Sequence, residues 1–314
     1  MGIFGKKKSI VPEWASFFSD KEYDAFVKAI DLYFREKLKL SYELREGAIL
    51  VPENEYGFQK LGLGNLAQIC RQNNVNEYPV IVNAHFDSTV ESQRFQNEFS
   101  KIEKDYDQIE PYLAVRLYDT EYLSAIGADG VVGKPFSGEL HAVLVFDFPH
   151  SVINVQPEQI LHWGKTKEAL METGLSNVRK NYEIHVEVVE LGPEKDRIYL
   201  CESNHFFAGN ILFDLDSRDG FVGKYGALTA APNRSTALVY PIEDSRMIQV
   251  LNQLFGVVLG IYSDHPGSLS REIYWYHNQQ FVPLAYSIEN RKVQFYPPDA
   301  FIELLNTLAG ADNS

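Results

Sequence analysis

The first strong pattern in the chain is a run of apolar residues that recur at steps of three and four. Ser19 and Glu22 stand at the spacing of a capping box, in which each side chain accepts a hydrogen bond from the other residue's backbone N–H. The apolar side chains that follow share one face of a helix: Tyr23, Phe26, Val27, Ile30, Tyr33, Phe34 and Leu38. This spacing predicts an amphipathic helix over residues 20–38.

The chain that follows this helix predicts a hairpin and further helices. Apolar and polar residues alternate over 39–51 on either side of Glu46 and Gly47, which indicates a hairpin that turns at those two residues. Two further helical patterns lie at residues 63–71 and 79–102. The charged stretch 101–110 is the predicted junction. The sequence therefore predicts a mostly helical N-terminal part with a hairpin over residues 1–110.

Beyond residue 110 the pattern changes to short apolar runs of strand length that alternate with helical segments. The apolar runs lie at residues 112–118, 140–146, 182–191, 197–202, 210–213, 237–240, 273–276 and 281–284. The helical segments lie at residues 156–180, 245–258 and 298–308. Tight turns join the runs 182–191 and 197–202, and likewise the runs 273–276 and 281–284, which indicates two antiparallel hairpins, over residues 182–202 and 273–284. The sequence predicts an α+β fold for residues 111–314, with a mixed, largely antiparallel sheet and packed helices, and we expect this part to pack against the N-terminal part.

The composition adds a strong acidic balance to this picture. Lys and Arg number 29 against 43 Asp and Glu, which gives a formal net charge of −14. Nucleic acids and anionic membranes attract positive surfaces, so we expect neither as a partner. Because no signal-peptide pattern and no run of about 18 apolar residues occurs, we expect a cytoplasmic protein. Cys70 and Cys201 are too few for a disulfide framework, which favours small buried side chains.

His85 and Asp87 form the first short motif that suggests chemistry. They resemble the metal-binding His-x-Asp of zinc aminopeptidases, and imidazole and carboxylate are suitable zinc ligands. The periodicity, however, places both residues in a helix, where side chains two positions apart point about 200° from one another. No Glu-Glu pair follows to supply a base. We favour a half-buried helical histidine over a metal ligand.

Asp214 and Asp216 form the second motif, directly after the apolar run 210–213. An apolar strand that ends in Asp-x-Asp resembles the first motif of the haloacid-dehalogenase phosphotransferases, in which the first Asp is the nucleophile and the second an acid or base. That family continues with Gly-Thr, whereas this chain has Ser217 and Arg218. We favour a carboxylate that caps the turn after a strand.

Several strings beyond residue 110 follow one another in a recognisable order. They are Pro111-Tyr-Leu-Ala-Val-Arg-Leu, Leu161-His-Trp163-Gly164, Gly209-Asn-Ile-Leu-Phe-Asp, Thr229-Ala-Ala-Pro232-Asn-Arg234-Ser and Asp264-His-Pro266-Gly-Ser-Leu-Ser-Arg. In their order and spacing they resemble the YtpQ-like family of bacterial proteins, a domain of unknown function, over residues 111–284. The resemblance implies an intracellular bacterial protein, without an assigned activity or catalytic residues.

Asn233 and Arg234 are the candidate binding residues. They join two apolar segments, and an arginine exposed on a loop between strands can hold a carboxylate or phosphate with two hydrogen bonds. The same arginine can also brace the loop against an acidic residue. Both roles stay open at this point.

The motifs together favour a protein without catalytic activity. We expect it to act by binding a protein or a small ligand, with no catalytic residues, metal site or cofactor. The alternative is a metal-dependent hydrolase or phosphatase that uses either His85 and Asp87 or Asp214 and Asp216.

Overall fold

The chain divides into two compact units. A computed structural model describes residues 11–54, 56–264, 267–289 and 292–311. Unit 1 comprises the described residues up to Ile102 together with Phe148–Ser151, and unit 2 comprises Glu103–Asp147 and the described residues from Val152 onward. The predicted boundary after residue 110 lies later in the chain than this division.

Phe148–Ser151 belongs to unit 1 because its side chains contact the helix that precedes the division. The ring of Phe148 lies 4.9 Å from that of Phe95 and 4.6 Å from that of Phe99, measured between centroids. Ser92 donates a hydrogen bond from its hydroxyl to that of Ser151 at 2.6 Å.

Unit 1 consists of helices and a small antiparallel sheet, as the sequence predicts. Its elements are α1 (Asp20–Asp31), α2 (Gly64–Arg71) and α3 (Tyr78–Phe99), with the sheet β1 (Glu43–Arg45), β2 (Ala48–Leu50) and β3 (Lys60–Gly62). The capping box is confirmed: the Ser19 hydroxyl accepts from the Glu22 N–H at 3.3 Å, and the Glu22 carboxylate accepts from the Ser19 N–H at 2.8 Å. The predicted hairpin is also confirmed, with β1 paired to β2.

The end of the first helix differs from the prediction. Residues Leu32–Lys37 form π-helical turns rather than a continuation of the α-helix, and the Leu38 N–H bonds to the Tyr33 carbonyl at 3.0 Å. In these turns the consecutive residues Tyr33 and Phe34 are both fully buried. A simple 3.6-residue pattern cannot distinguish the two kinds of helix, because the apolar spacing is nearly the same.

Unit 2 contains the remaining elements, of which β6 and β7 extend into the segment that belongs to unit 1. The helices are α4 (Tyr106–Ile109), α5 (Thr120–Ile126), α6 (Pro157–Ile160), α7 (Lys167–Asn181), α8 (Met247–Asp264) and α9 (Asp299–Ala311). The strands are β4 (Leu113–Asp119), β5 (Gly133–Ser137), β6 (Leu140–Phe148), β7 (Ser151–Asn154), β8 (His185–Leu191), β9 (Asp196–Glu202), β10 (Ala227–Asn233), β11 (Thr236–Pro241), β12 (Ile273–His277), β13 (Gln280–Glu289) and β14 (Lys292–Tyr296).

These strands form two sheets with antiparallel pairing. The larger sheet has the order β14-β13-β12-β10-β11-β9-β8, and the smaller has the order β4-β6-β5 with β7 paired to β6. The hairpins predicted for residues 182–202 and 273–284 are confirmed as β8-β9 and β12-β13. Helix α8 packs on β10 and helix α7 packs on β4. The α+β prediction is therefore confirmed.

The prediction of a strand at residues 210–213 is wrong. Ala208–Phe213 is a 3₁₀ helix, and a second one follows at Leu215–Ser217. The segment lies against β4, where the buried side chain of Asn210 donates to the Val115 carbonyl at 2.8 Å. A short apolar run that is buried on all sides has the same composition in a strand and in a helix, so its composition does not separate the two.

The two cysteines are buried, as predicted. Burial raises the pKa of both the Cys70 and the Cys201 thiol to about 12, because the thiolate would lose its hydration. Among the described helices, none is both long enough and apolar enough to cross a membrane.

Candidate functional site

A buried arginine stands in the middle of β4. In a strand, alternate residues point to the same face, so Ala114, Arg116 and Tyr118 share one face of the smaller sheet. The side chain of Arg116 is only 7% exposed. Its guanidinium carbon lies 5.4 Å from the ring centroid of Tyr118 and 5.1 Å from that of Phe206. Arg116 is therefore enclosed by aromatic rings rather than by carboxylates.

The structure brings Arg234 to the same place. Arg234 begins the turn between β10 and β11, where its backbone N–H donates to the Gly267 carbonyl at 3.0 Å. Its guanidinium carbon lies 5.3 Å from the ring centroid of Tyr118 and 5.8 Å from that of Tyr122. The prediction that Arg234 is an exposed point on a loop is wrong: the side chain is half-buried, because the two tyrosine rings offer it an aromatic surface.

Asn233 is buried and shapes the turn. It is 3% exposed, and its side-chain oxygen accepts from the Ser235 N–H at 2.9 Å. This bond closes an Asx turn, which fixes the backbone that carries Arg234. Asn233 thus acts on the position of Arg234 rather than presenting its own amide to solvent.

The start of α5 holds the second tyrosine in place. The Asp119 carboxylate caps this helix by accepting from the Tyr122 N–H at 2.7 Å. The rings of Tyr118 and Tyr122 then stack, with centroids 4.5 Å apart and planes 14° from parallel. We call Arg116, Tyr118, Tyr122, Phe206 and Arg234 the paired-arginine site.

The two arginines of this site have no ion-pair partner among the described residues. No described carboxylate lies within ion-pair distance of Arg116 or Arg234, and the Nε atoms of both are buried without a hydrogen-bond acceptor. Burial, together with the charge of Arg234, lowers the pKa of Arg116 to about 10. Burial raises the pKa of the Tyr118 hydroxyl, while the charges of both arginines act in the opposite direction. Both guanidinium groups therefore influence the same phenol. The role of Arg234 as a brace against an acidic residue is not observed among the described residues.

The acidic residue further along the same sheet face is already engaged. Asp147 follows Val145, the partner of Ala114, by two positions on β6. Its carboxylate accepts a hydrogen bond from the Tyr182 hydroxyl, and the ring of His205 lies 4.3 Å from that of Tyr182. Burial raises the pKa of Asp147, while the hydrogen bond from Tyr182 and the charges of His205 and Arg116 act in the opposite direction. Arg116 therefore interacts with this carboxylate at a distance, without forming an ion pair with it.

The hydrogen-bonding groups of the site define its chemistry. A guanidinium presents N–H donors in a fork that matches the two oxygens of a carboxylate or phosphate, and it has no acceptor atoms. Two such groups beside the rings of Tyr118 and Tyr122 favour an anion and provide no nucleophile of lowered pKa.

His85 and Asp87 lie in α3, as predicted, and they have separate surroundings. The Asp87 carboxylate accepts from the Lys37 ammonium at 2.6 Å and from the Tyr33 hydroxyl at 2.8 Å. The His85 ring meets the Phe86 ring edge to face, with centroids 5.1 Å apart. The structure does not bring the two side chains together.

The half-buried His85 carries a pH-dependent contribution to stability. Burial lowers its pKa from the ordinary value, so the unfolded state binds a proton more readily. Stability should therefore fall as the pH drops below about 6.5, the pKa of an unfolded histidine, toward the lower folded value. We expect His85→Gln to flatten the dependence of the unfolding free energy on pH between 7 and 5. Chemical denaturation measures this, with exposed His162→Gln as the control. An unchanged slope in His85→Gln would contradict the prediction.

Asp214 and Asp216 are also separated by their partners. Asp214 pairs with Arg179 at 2.8 Å, whereas the Asp216 carboxylate accepts from the Tyr276 hydroxyl at 2.6 Å. Asp214 lies between the two 3₁₀ helices and Asp216 lies in the second of them, so neither stands at the end of a strand. Within the described ranges, no group of three or more His, Cys, Asp and Glu side chains is arranged to hold a metal ion.

Of the two arginines, the sequence motifs pointed to Arg234 and not to Arg116. The sequence did contain an indication of Arg116. It is the only charged residue between Leu113 and Tyr118, in a run that otherwise has the apolar pattern of a buried strand. A charged side chain in a buried strand needs either a compensating charge in the protein or a role in binding a ligand. What the sequence could not show is that β4 and the β10-β11 turn meet.

Comparisons with known proteins give no further guidance: no family model, no curated protein and no solved structure matches this chain.

Proposed function

We propose that this protein is a binding protein whose unit 2 holds a small anionic ligand, a carboxylate or a phosphate, at the paired-arginine site. The observation that carries the proposal is the buried guanidinium of Arg116, beside a second arginine and without a carboxylate partner among the described residues.

Burying the guanidinium charge of Arg116 has a cost in free energy. An ionised group that leaves water without a partner is destabilising by several kcal/mol, since the lost hydration is not replaced. Aromatic rings offset only part of this free-energy cost, by about 0.5–2 kcal/mol for each cation–π contact. A bound anion would supply the missing partner to both guanidinium groups. The charge of Arg116 is then retained for binding and not for stability.

The aromatic rings indicate what is attached to the anion. Phe206 is 50% exposed although its ring lies over Arg116. An exposed ring beside two cationic side chains favours a ligand with a flat or apolar group next to its negative group. Inorganic phosphate, phenyl phosphate and benzoate therefore form a graded series of probes.

The test compares binding with stability in Arg116→Met and Arg234→Gln. We expect phenyl phosphate or benzoate to bind the unaltered protein in isothermal titration calorimetry, and Arg234→Gln to weaken that binding at least about 10-fold, the usual worth of a hydrogen bond to a charged group. We expect Arg116→Met to abolish binding while the ligand-free variant is as stable as the unaltered protein or more so, because a neutral chain of similar length replaces a charge without a partner.

The control is Arg218→Met. Arg218 also lies over an aromatic ring, with its guanidinium carbon 5.9 Å from the ring centroid of Phe221. Binding should be unchanged in it. A purely structural role for Arg116 predicts the opposite result: a destabilised Arg116→Met and no stabilisation of the unaltered protein by any of the three anions. Ligand at about 100 times its Kd should add about 2.7 kcal/mol to the unfolding free energy, which makes the difference measurable.

The other expectations about this protein are part of the same proposal. A cytoplasmic location, a bacterial source and membership of the YtpQ-like family stay predictions from the sequence. The alternative of a hydrolase or phosphatase has less support, because Asp87, Asp214 and Asp216 all have bonds to other side chains.

A further inference from the structure

Unit 1 contains a groove that the proposed function does not use. It has a volume of about 600 Å³ and is lined by Pro12, Glu13, Trp14, Tyr23, Leu44 and Glu46. Sites for small molecules usually enclose about 300–1,000 Å³ and combine apolar walls with a few polar groups. We call this feature the Trp14 groove.

The wall of the groove is a fixed aromatic surface. Trp14 is half-buried and stands at 71° to the ring of Tyr23, with centroids 6.1 Å apart. The turn of the β1-β2 hairpin supports the indole, since a Cβ at Gly47 would lie only 3.1 Å from its ring. The hairpin turn therefore packs against the indole of Trp14, which forms part of the groove wall.

The rim of the groove is acidic. Glu13 and Glu46 are exposed, and neither forms an ion pair with any described residue. The next basic residue along β1, Arg45, points to the opposite side of the strand from Leu44, which lines the groove. Two carboxylates thus line the same groove as Trp14, and neither is paired with a cation of the described residues.

From this combination we infer that the Trp14 groove binds a small organic cation, an ammonium group on an apolar or aromatic body. The electron-rich face of an indole attracts cations, and tryptophan is the strongest of the aromatic residues in this respect. The carboxylates on the rim complement the same charge, and the net charge of −14 raises the local concentration of cations. Leu44, Pro12 and Tyr23 would cover the apolar body.

The test uses benzylammonium and benzyl alcohol, which have similar shapes but differ in charge, on the full chain. We expect benzylammonium to shift the NMR signal of the Trp14 indole N–H in a saturable manner. It should bind roughly 10-fold more tightly than benzyl alcohol, as one cation–π contact and two surface ion pairs suggest. The double variant E13Q/E46Q, which keeps the shape of both side chains, should remove most of that difference.

The matched control is Glu43→Gln, a carboxylate of β1 on the face opposite Leu44. It should leave benzylammonium binding unchanged, whereas an equal loss in Glu43→Gln and in E13Q/E46Q would show that only the overall charge matters and would overturn the inference. Equal binding of the alcohol and the ammonium ion, or the lack of a saturable shift, would overturn it as well. A far-UV circular dichroism spectrum of each variant establishes that it is folded.

Discussion

Replacing Gly226 by alanine is expected to lower the free energy of unfolding by about 3 kcal/mol or more. Gly226 has a φ of +95°, a conformation that costs an L-residue about 1–3 kcal/mol. A Cβ at this position would stand 2.1 Å from the Tyr276 carbonyl oxygen and 3.0 Å from the Trp275 Nε1. Overpacking of this kind adds about 1–3 kcal/mol.

The surroundings of Gly226 leave it no room to move away from this clash. Its carbonyl accepts from the Ile242 N–H at 2.8 Å and from the Gly223 N–H at 3.0 Å. The Trp275 indole is held by its own hydrogen bond to the Tyr225 carbonyl at 2.9 Å. Relief of the contact would therefore break bonds at the start of β10, an inner strand of the larger sheet.

Urea denaturation of Gly226→Ala and Gly164→Ala separates the free-energy cost of a positive φ from the cost of the steric clash of the added Cβ. Gly164 also has a positive φ, +60°, but its Cβ would meet nothing within 4 Å. We expect Gly164→Ala to lose only about 1–2 kcal/mol, the cost of the left-handed conformation alone. Equal losses in the two variants would show that the contact with Tyr276 is relieved without cost, and would contradict the prediction.

Local patterns gave the helices and hairpins, because those signals are complete within a few residues. The capping box of Ser19 and Glu22, the turn at Glu46 and Gly47, and the apolar face of α8 depend only on neighbours in the chain. The prediction was wrong where the environment decides the conformation. Residues 210–213 are apolar and could form either element, and their contact with β4 selects the 3₁₀ helix.

For the same reason, only part of the candidate site could be predicted from the sequence. Arg234 stands in a recognisable turn, so it could be predicted as a candidate binding residue. Its burial depends on Tyr118 and Tyr122, which come more than a hundred residues earlier in the chain. Phe148 shows the same effect in the division of the chain. Its place in unit 1 follows from contacts with Phe95 and Phe99, which no local sequence pattern predicts.

Gly174→Ala, in the helix that packs on β4, should be destabilising although alanine is the better helix former. In an exposed helix the exchange would stabilise the protein by about 0.5–1 kcal/mol. Gly174 is buried, and a Cβ there would stand 2.8 Å from the carbonyl carbon of Ala114 and 3.1 Å from its oxygen. Because backbone atoms cannot rotate away, the helix would have to move. We therefore expect a net loss of about 2 kcal/mol, typical of an overpacked contact.

Hydrogen bonds fix α7 against such a movement. Asn177, three positions further along the helix, donates from its side-chain amide to the Glu110 carbonyl at 2.7 Å and to the Leu113 carbonyl at 2.9 Å. A displacement that relieves Gly174→Ala would lengthen both bonds at the beginning of β4. The same strand carries Arg116, so the variant should also weaken any anion binding at the paired-arginine site.

The matched control is Gly256→Ala in α8, where a Cβ would meet nothing within 4 Å. Helix propensity alone acts at this position, and we expect the variant to gain about 0.5–1 kcal/mol in urea denaturation. The two substitutions are chemically identical and should change stability in opposite directions. If both raised the unfolding free energy, the close approach of α7 to β4 at Gly174 would not be a constraint in the folded protein.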